Sequence, residues 1–128
     1  MNKGDSLSCI FCNIEKERIK VENEAAYAIY DGFPVSKGHM MIIPKKHFSN
    51  YFEADSQTKE QLWKLIEECK EFVDKKYNLD GYNIGVNCGE ASGQTIMHLH
   101  IHLIPRYKGD IENPRGGVRG VIPNKRIY

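Results

Sequence analysis

The chain has 128 residues, of which 27% are charged and 41% hydrophobic, and its formal net charge at pH 7 is +1. This length suits one domain with its own core and is too short for two. The near balance of charge argues against nonspecific nucleic-acid binding, which usually requires a larger basic excess. No segment approaches the roughly 18 consecutive apolar residues that a membrane-spanning helix needs.

The N-terminal residues and the cysteine content indicate the compartment. The first nine residues, MNKGDSLSC, lack the apolar core of a signal peptide. We therefore expect a soluble, cytoplasmic protein without a membrane partner. In a reducing compartment the four cysteines are expected to be thiols or metal ligands rather than disulfides.

A short helix and a first strand are predicted near the N-terminus. Ser6 or Ser8 is a candidate N-cap for a helix that reaches about Arg18. Alternating side chains predict a strand over 25–30, and the turn-forming residues 31–34 interrupt it.

A second strand and one long helix follow. The strand is predicted over 39–43 and ends at Pro44. Asp55 or Ser56 is the expected N-cap of the long helix, which continues to about residue 76. Apolar residues at helical spacing form its core-facing stripe: Leu62, Leu65, Ile66, Cys69, Phe72 and Val73.

The most informative feature of the chain is the run MHLHIHLIP. It follows a predicted strand over 82–86 and a glycine-rich loop over 87–93. His98, His100 and His102 alternate with apolar residues, as in a half-buried strand. Residues two apart on a strand point to one face, roughly 6.6 Å apart. Three imidazoles presented together suit metal binding, proton transfer or nucleophilic attack. The alternative is a structural metal strand or an exposed row of histidines without catalysis.

The predicted elements indicate an α+β domain with antiparallel strands, one long helix and one short helix. The last residues are rich in Gly, Pro, Arg and Lys. We therefore divide the chain into a domain over 1–107 and a C-terminal arm over 108–128. Arginines among glycines in the arm could clamp a phosphate; the alternatives are an arm that packs on a partner subunit and a flexible basic tail.

The histidine run has the form His-φ-His-φ-His-φ-φ, where φ is apolar, and it resembles the defining strand of the histidine-triad (HIT) family. Three further segments match in order: Tyr30-Asp31 before a proline-containing turn, residues 38–47, and residues 87–95 ahead of the triad. The resemblance covers about residues 9–107. It implies a five-stranded antiparallel sheet, a homodimer whose sheets join into one, and hydrolase or transferase chemistry at the α-phosphate of nucleotides.

His100 is our candidate nucleophile, because a neutral imidazole nitrogen can attack phosphorus and form a covalent nucleotidyl-histidine. The resemblance implies that a backbone carbonyl near His98 fixes its tautomer. His102 and Thr95 are expected to donate hydrogen bonds in catalysis. Gly93 and Gln94 are assigned to nucleotide binding near the phosphate, and the resemblance implies that Asn87 approaches the phosphate or the ribose.

The rest of the nucleotide is assigned to the first third of the chain. The resemblance implies that Asp31 binds the ribose hydroxyls, whereas the residues alone favour a turn aspartate that bonds its own backbone. Ile10 and Phe11, with Ile14 and Phe33, could form an apolar slot for a purine. His39 is either a support for the site or a structural residue.

Cys9 and Cys12 form a CxxC pair, which suits zinc but could also be redox-active or simply buried. The resemblance supplies two further ligands, His47 and His98, and implies a closed, structural zinc site.

The sequence is therefore compatible with three functions. The first is a hydrolase of purine nucleoside phosphoramidates or dinucleoside polyphosphates. The second is a nucleotidyl transferase or phosphorylase, and the third is a nucleotide-binding module with little turnover.

Overall fold

The computed structural model describes residues 8–128. Its centre is a five-stranded sheet in the order β1-β2-β3-β5-β4, in which every neighbouring pair is antiparallel. The elements are β1 (Val21–Glu22), β2 (Ala26–Tyr30), β3 (Met40–Pro44), α1 (Ser56–Lys76), β4 (Gly81–Val86) and β5 (Ile101–Arg106). The predicted α+β architecture with one long helix is confirmed. Among residues 8–128, no helix combines the length and apolarity that crossing a bilayer requires.

Helix α1 begins and ends where the sequence predicts. The Asp55 side chain accepts a hydrogen bond from the Thr58 amide at 2.7 Å and caps the first turn. Lys75 and Lys76 lie in the last turn, where cations complement the helix dipole. The predicted stripe faces the sheet, and its members Leu62, Leu65, Ile66, Cys69 and Val73 are buried.

Strand alternation divides the sheet into two apolar faces. The face under α1 carries alternate residues of three strands: Ala26, Ala28, Met40, Ile42, Ile101 and Leu103. The opposite face carries the residues between them on β2 and β3, Tyr27, Ile29, Met41 and Ile43, and Phe11 covers them. The second face is where the N-terminal segment crosses the sheet.

The predicted N-terminal helix is wrong. Ser6 lies outside the described residues, and from Ser8 onward the chain forms a turn and then one 3-10 helix, Lys16–Arg18. An α-helix would use the Cys9 carbonyl as acceptor for the Asn13 backbone amide. Here the Asn13 side chain donates to that carbonyl at 2.8 Å, and the Asn13 backbone amide donates to the Ile10 carbonyl instead.

The histidine run is only partly a strand. Strand β5 begins at Ile101, so His98 and His100 precede it. The Leu99 amide donates to the Phe48 carbonyl at 2.8 Å, which takes this stretch out of the sheet ladder. The alternation of side chains persists nonetheless, because Leu99 is buried on the helix side with Ile101.

The C-terminal arm is folded on itself through two 3-10 helices, Gly117–Val121 and Pro123–Lys125. The Arg126 guanidinium donates to the carbonyls of Asn113 and Arg115, and the Arg119 guanidinium donates to those of Lys125 and Arg126. These two arginines therefore hold the arm's own backbone.

Candidate active site

A cavity of about 450 Å³ opens on the sheet face opposite α1. Its lining includes eight residues that the sequence assigns to catalysis or nucleotide binding: Ile10, Phe11, Asp31, Asn87, Gly93, Thr95, His100 and His102. Phe33, from the expected purine slot, also lines it, whereas Ile14 lies outside. No residue of the arm lines this cavity within the described chain, so one copy of the chain does not form the phosphate clamp considered above.

The backbone fixes the tautomer of His100. Its Nδ1 lies 2.8 Å from the His98 carbonyl oxygen. A carbonyl only accepts hydrogen bonds, so Nδ1 carries the proton and Nε2 keeps its lone pair. Phe11 packs against the ring, with 5.1 Å between ring centroids. The ring therefore has one nitrogen anchored and the other available for attack.

His39 and His102 form a second hydrogen-bonded pair. The Val35 amide donates to His39 Nδ1 at 3.1 Å, so His39 carries its proton on Nε2. That Nε2 lies 2.9 Å from His102 Nδ1, which must accept. The proton of His102 is consequently on Nε2. His39 thus supports the site directly, which the sequence left open.

Both rings of this pair are held neutral. Burial, together with the neighbouring His100 and His39, lowers the pKa of His102 to about 4, although Asp31 opposes the shift. Burial also lowers the pKa of His39, again against Asp31. At neutral pH, His102 is therefore a neutral donor rather than a cation.

The two carboxylate oxygens of Asp31 have different neighbours. Its Oδ1 accepts from the Phe33 amide at 2.8 Å, which is the turn contact that the sequence offered as the plain alternative. Its Oδ2 lies 3.3 Å from His39 Nε2 and 3.7 Å from His102 Nδ1. The carboxylate still lines the cavity, so the turn contact and access to a ligand coexist.

Gln94 departs from its expected position. It is buried and does not line the cavity. Its side-chain amide donates to the carbonyls of Ser49 and Ile96 and accepts from the Gly89 amide. These bonds consume the donors that phosphate binding would need. The Gln94 side chain instead holds the loop that positions Gly93 and Thr95. The prediction that Gln94 binds the nucleotide directly is therefore wrong.

The four predicted metal ligands converge. Their ligand atoms, from Cys9, Cys12, His47 and His98, all lie within 4.8 Å of one another. His98 Nδ1 lies 3.2 Å from the Cys9 sulfur and 3.5 Å from the Cys12 sulfur, and His47 Nδ1 lies 3.2 Å from the Cys12 sulfur. Tetrahedral zinc with these donors requires separations of about 3.4–3.8 Å. The cluster is close to that size.

Protonation in this cluster also fits a metal ion. His98 Nε2 donates to the Pro44 carbonyl at 2.9 Å, which leaves Nδ1 with its lone pair toward the sulfurs. Burial lowers the pKa of His98 to about 4, so the ring is neutral. Burial, with Cys9 beside it, raises the pKa of Cys12 to about 11, so a cation would have to displace the thiol proton.

A second group of potential ligands has the wrong protonation for a metal. Asp31, His39 and His102 also bring three ligand atoms together. The Val35 amide, however, forces the proton onto His39 Nε2, the atom that would have to bind the ion. This group is a hydrogen-bonded network rather than a metal site.

The family follows from the match of residues 13–109 to the HIT domain. The chain belongs to the HIT family. It is 40% identical to an uncharacterised HIT-like protein of Methanocaldococcus jannaschii, over 81% of this chain and 83% of that protein. It is 33% identical to the adenosine 5'-monophosphoramidase of Schizosaccharomyces pombe over 78% and 75%, and 31% identical to the bis(5'-adenosyl)-triphosphatase of Dictyostelium discoideum over 78% and 67%.

Solved structures of HIT family members share the fold. A HIT family protein of Bacillus anthracis superposes with a TM-score of 0.75 at 33% identity, covering 80% of this chain and 76% of that one. A zinc-bound histidine triad family protein of Mycobacterium smegmatis superposes with a TM-score of 0.73 at 32% identity, covering 82% and 79%.

Sequence reasoning missed one charged residue of the cavity. Arg18 lines it, together with the apolar Met41 and Ile96. No local pattern marks Arg18, since it lies in the segment that was expected to be a helix. Met41 and Ile96 could be recognised only as apolar residues.

Proposed function

We propose that this protein is a nucleotide hydrolase that acts at the α-phosphate of purine nucleoside phosphoramidates or dinucleoside polyphosphates, in the cytoplasm. The observation that carries the proposal is His100, whose Nδ1 is anchored on the His98 carbonyl at the wall of the cavity. The names of the S. pombe and D. discoideum relatives, a monophosphoramidase and a triphosphatase, support this class of substrate.

The first step is displacement at phosphorus. His100 Nε2 donates its lone pair to the α-phosphorus, and the bond from phosphorus to the leaving group breaks, with the bonding electron pair going to the leaving group. A phosphate departs as its anion, and an amine takes a proton from solvent as it departs. The imidazole becomes positively charged. Its Nδ1–H remains on the His98 carbonyl, which stabilises that charge without any rearrangement.

His102 and the loop before the triad assist this step. His102 presents Nε2–H to a phosphate oxygen or to the leaving group, because Nδ1 is occupied by His39. Thr95 and Asn87 line the same cavity and can donate to the remaining phosphate oxygens. Gly93 has a φ of 97°, a conformation that favours glycine and keeps the backbone open to the substrate.

The second step releases the nucleotide. Water attacks the phosphorus of the covalent nucleotidyl-histidine, and the bond from phosphorus to His100 Nε2 breaks with its electron pair returning to Nε2. One proton of the attacking water is released to solvent. The product is a nucleoside monophosphate, and His100 returns to its starting tautomer. If inorganic phosphate took the place of water, a nucleoside diphosphate would form, which is the transferase alternative.

Nucleotide binding is proposed to follow the cavity away from His100. The ribose hydroxyls would bind Asp31, and the purine would lie against Ile10, Phe11 and Phe33. Ile10 and Phe33 are exposed at the cavity mouth, so a bound base would remove apolar surface from water.

A structural zinc ion is proposed at Cys9, Cys12, His47 and His98. These residues supply all four ligands of a closed tetrahedral site, so the ion would tie the N-terminal segment to the stretch that carries His100 and would not bind substrate. The zinc-bound relative from M. smegmatis supports the choice of metal.

A homodimer is proposed through the open edge of β4. This strand pairs only with β5 among residues 8–128. Ile84 on β4 is 41% exposed, and the neighbouring arm exposes further apolar side chains: Val118, Val121, Ile122 and Ile127. An unpaired edge beside apolar surface is suited to pairing with a second copy.

The test is a turnover assay on a panel of nucleoside phosphoramidates and dinucleoside polyphosphates, with and without inorganic phosphate. We expect monophosphate products whose formation is lost in His100→Asn, with the melting temperature unchanged. Diphosphate products in the presence of phosphate would indicate a phosphorylase. Tight binding of nucleoside monophosphate with no turnover on the whole panel would indicate a binding module instead.

A further inference from the structure

Arg18 lies on the wall of the candidate active site. Among residues 8–128 it is the only lysine or arginine that lines the cavity. Its guanidinium is exposed and has no hydrogen-bond or ion-pair partner within the described part of the chain. An arginine in this setting is available to a ligand, because no side-chain contact with residues 8–128 has to be broken first.

The sheet order places Arg18 at the end of the cavity away from the triad. Arg18 lies just before β1, Asp31 follows β2, and His102 is on β5, with β3 between. In the β1–β2 register Val21 pairs with Ala28, so the chain before Val21 runs back toward the level of Asp31. Arg18, Asp31 and His102 therefore succeed one another across the sheet.

This order assigns Arg18 to the base rather than to the phosphates. The argument rests on the proposed function, in which phosphorus lies at His100 and the ribose at Asp31. A nucleotide in that orientation directs its base past Asp31, toward Arg18 and the apolar side chains of Ile10 and Phe33. At that end of the cavity, Arg18 is the only side chain with polar hydrogens among the lining residues that the structure describes.

A guanidinium only donates hydrogen bonds, so it discriminates between purines. Guanine and hypoxanthine present two acceptors, O6 and N7, on one edge, whereas adenine presents a donor at its 6-amino group beside N7. Since Arg18 has donors alone, it pairs with both atoms of a 6-oxopurine and is opposed by the adenine amino group. We infer that Arg18 makes the site selective for 6-oxopurine nucleotides over adenine nucleotides.

The experiment compares kcat/KM for the 5'-phosphoromorpholidates of guanosine, inosine and adenosine. A bidentate contact from an exposed arginine is expected to favour guanosine and inosine by about fivefold, which corresponds to about 1 kcal/mol. Arg18→Ala should bring the three values together, mainly through KM. The matched control is Lys16→Ala, which removes a cation from the same 3-10 helix but not from the cavity wall and should keep the preference.

Inosine separates the two edges of the base, because it keeps O6 and N7 but lacks the 2-amino group of guanine. The inference is overturned if inosine behaves like adenosine, if Arg18→Ala lowers kcat/KM equally for all three substrates, or if the wild-type protein has the same kcat/KM for all of them.

Dissociation constants for the three monophosphates are measured in parallel by calorimetry. Absence of turnover with an Arg18-dependent preference in binding would reject the hydrolase and keep the inference, whereas absence of binding or of any preference would reject the inference.

Discussion

The hydrogen bond from His39 to His102 predicts that turnover depends on His39, although the substrate does not reach this residue. His39 is 3% exposed, and His102 separates it from the cavity. His39→Leu removes the donor at 2.9 Å that holds the His102 proton on Nε2. His102 Nδ1 then has no partner, and the ring can place its proton on either nitrogen.

The expected cost lies between two limits. Loss of one hydrogen bond to a half-buried acceptor costs about 1.4 kcal/mol, which is about tenfold in rate. Complete loss of a donor to the transition state costs about 100-fold or more. We therefore expect His39→Leu to lower kcat by about 10- to 100-fold.

His39→Gln is the matched control, because its amide nitrogen can take the position of the histidine Nε2 and keep a donor toward His102. It should retain most of kcat. The assay is steady-state turnover of a nucleoside phosphoramidate, with melting temperatures to show that both variants are folded. Wild-type kcat in a folded His39→Leu variant would refute the reasoning, and equal losses in both variants would show that the proton position is irrelevant.

Three other predictions concern pH, metal and assembly. The pKa of His102 is about 4 in the folded protein and about 6.5 in the unfolded chain, so above pH 6.5 this group does not change the free energy of unfolding. As the pH is lowered from 6.5 to 4, the free energy of unfolding decreases by up to about 1.4 kcal/mol per pH unit, because only the unfolded chain takes up the proton. His102→Gln should remove that part of the pH dependence in urea unfolding. Elemental analysis should find one zinc ion per chain, and Cys12→Ser should lose the zinc and have a lower melting temperature. Less than about half an equivalent of zinc in the wild-type protein, together with a melting temperature that chelation does not change, would contradict the zinc site. Sedimentation equilibrium should give twice the mass of the chain, and Ile84→Glu, which puts a charge at an exposed position of β4, should give a monomer. A monomeric wild-type protein would contradict the proposed dimer.

The elements that depend on local pattern were predicted well. Helix α1 has a capping aspartate, an apolar stripe and basic residues in its last turn, so its two ends follow from the sequence. Strand β2 likewise follows from alternation. The predicted N-terminal α-helix is absent, because the backbone amides of Cys12 and Asn13 donate to carbonyls three residues back and the Asn13 side chain donates to the Cys9 carbonyl. The sequence pattern alone does not show these turn contacts.

The site was predictable as a set of residues but not as a hydrogen-bond network. Family motifs gave most of the residues that line the cavity. The tautomers of His98 and His102 depend on contacts far apart in sequence, those of His98 with Pro44 and of His102 with His39. The same is true of Gln94, whose bond to Ser49 takes it away from the cavity. Such pairs are set by tertiary packing and have no local signal.

The central claim is that Nε2 of His100 attacks phosphorus, and it can be tested by trapping the intermediate. The enzyme is mixed with excess labelled nucleoside phosphoramidate, quenched in base within one turnover, digested and mapped by mass spectrometry. We predict one nucleotidyl group on His100, stable in base, released by acid and absent in His100→Asn. Turnover with no such adduct, or with the label on another residue, would contradict the mechanism.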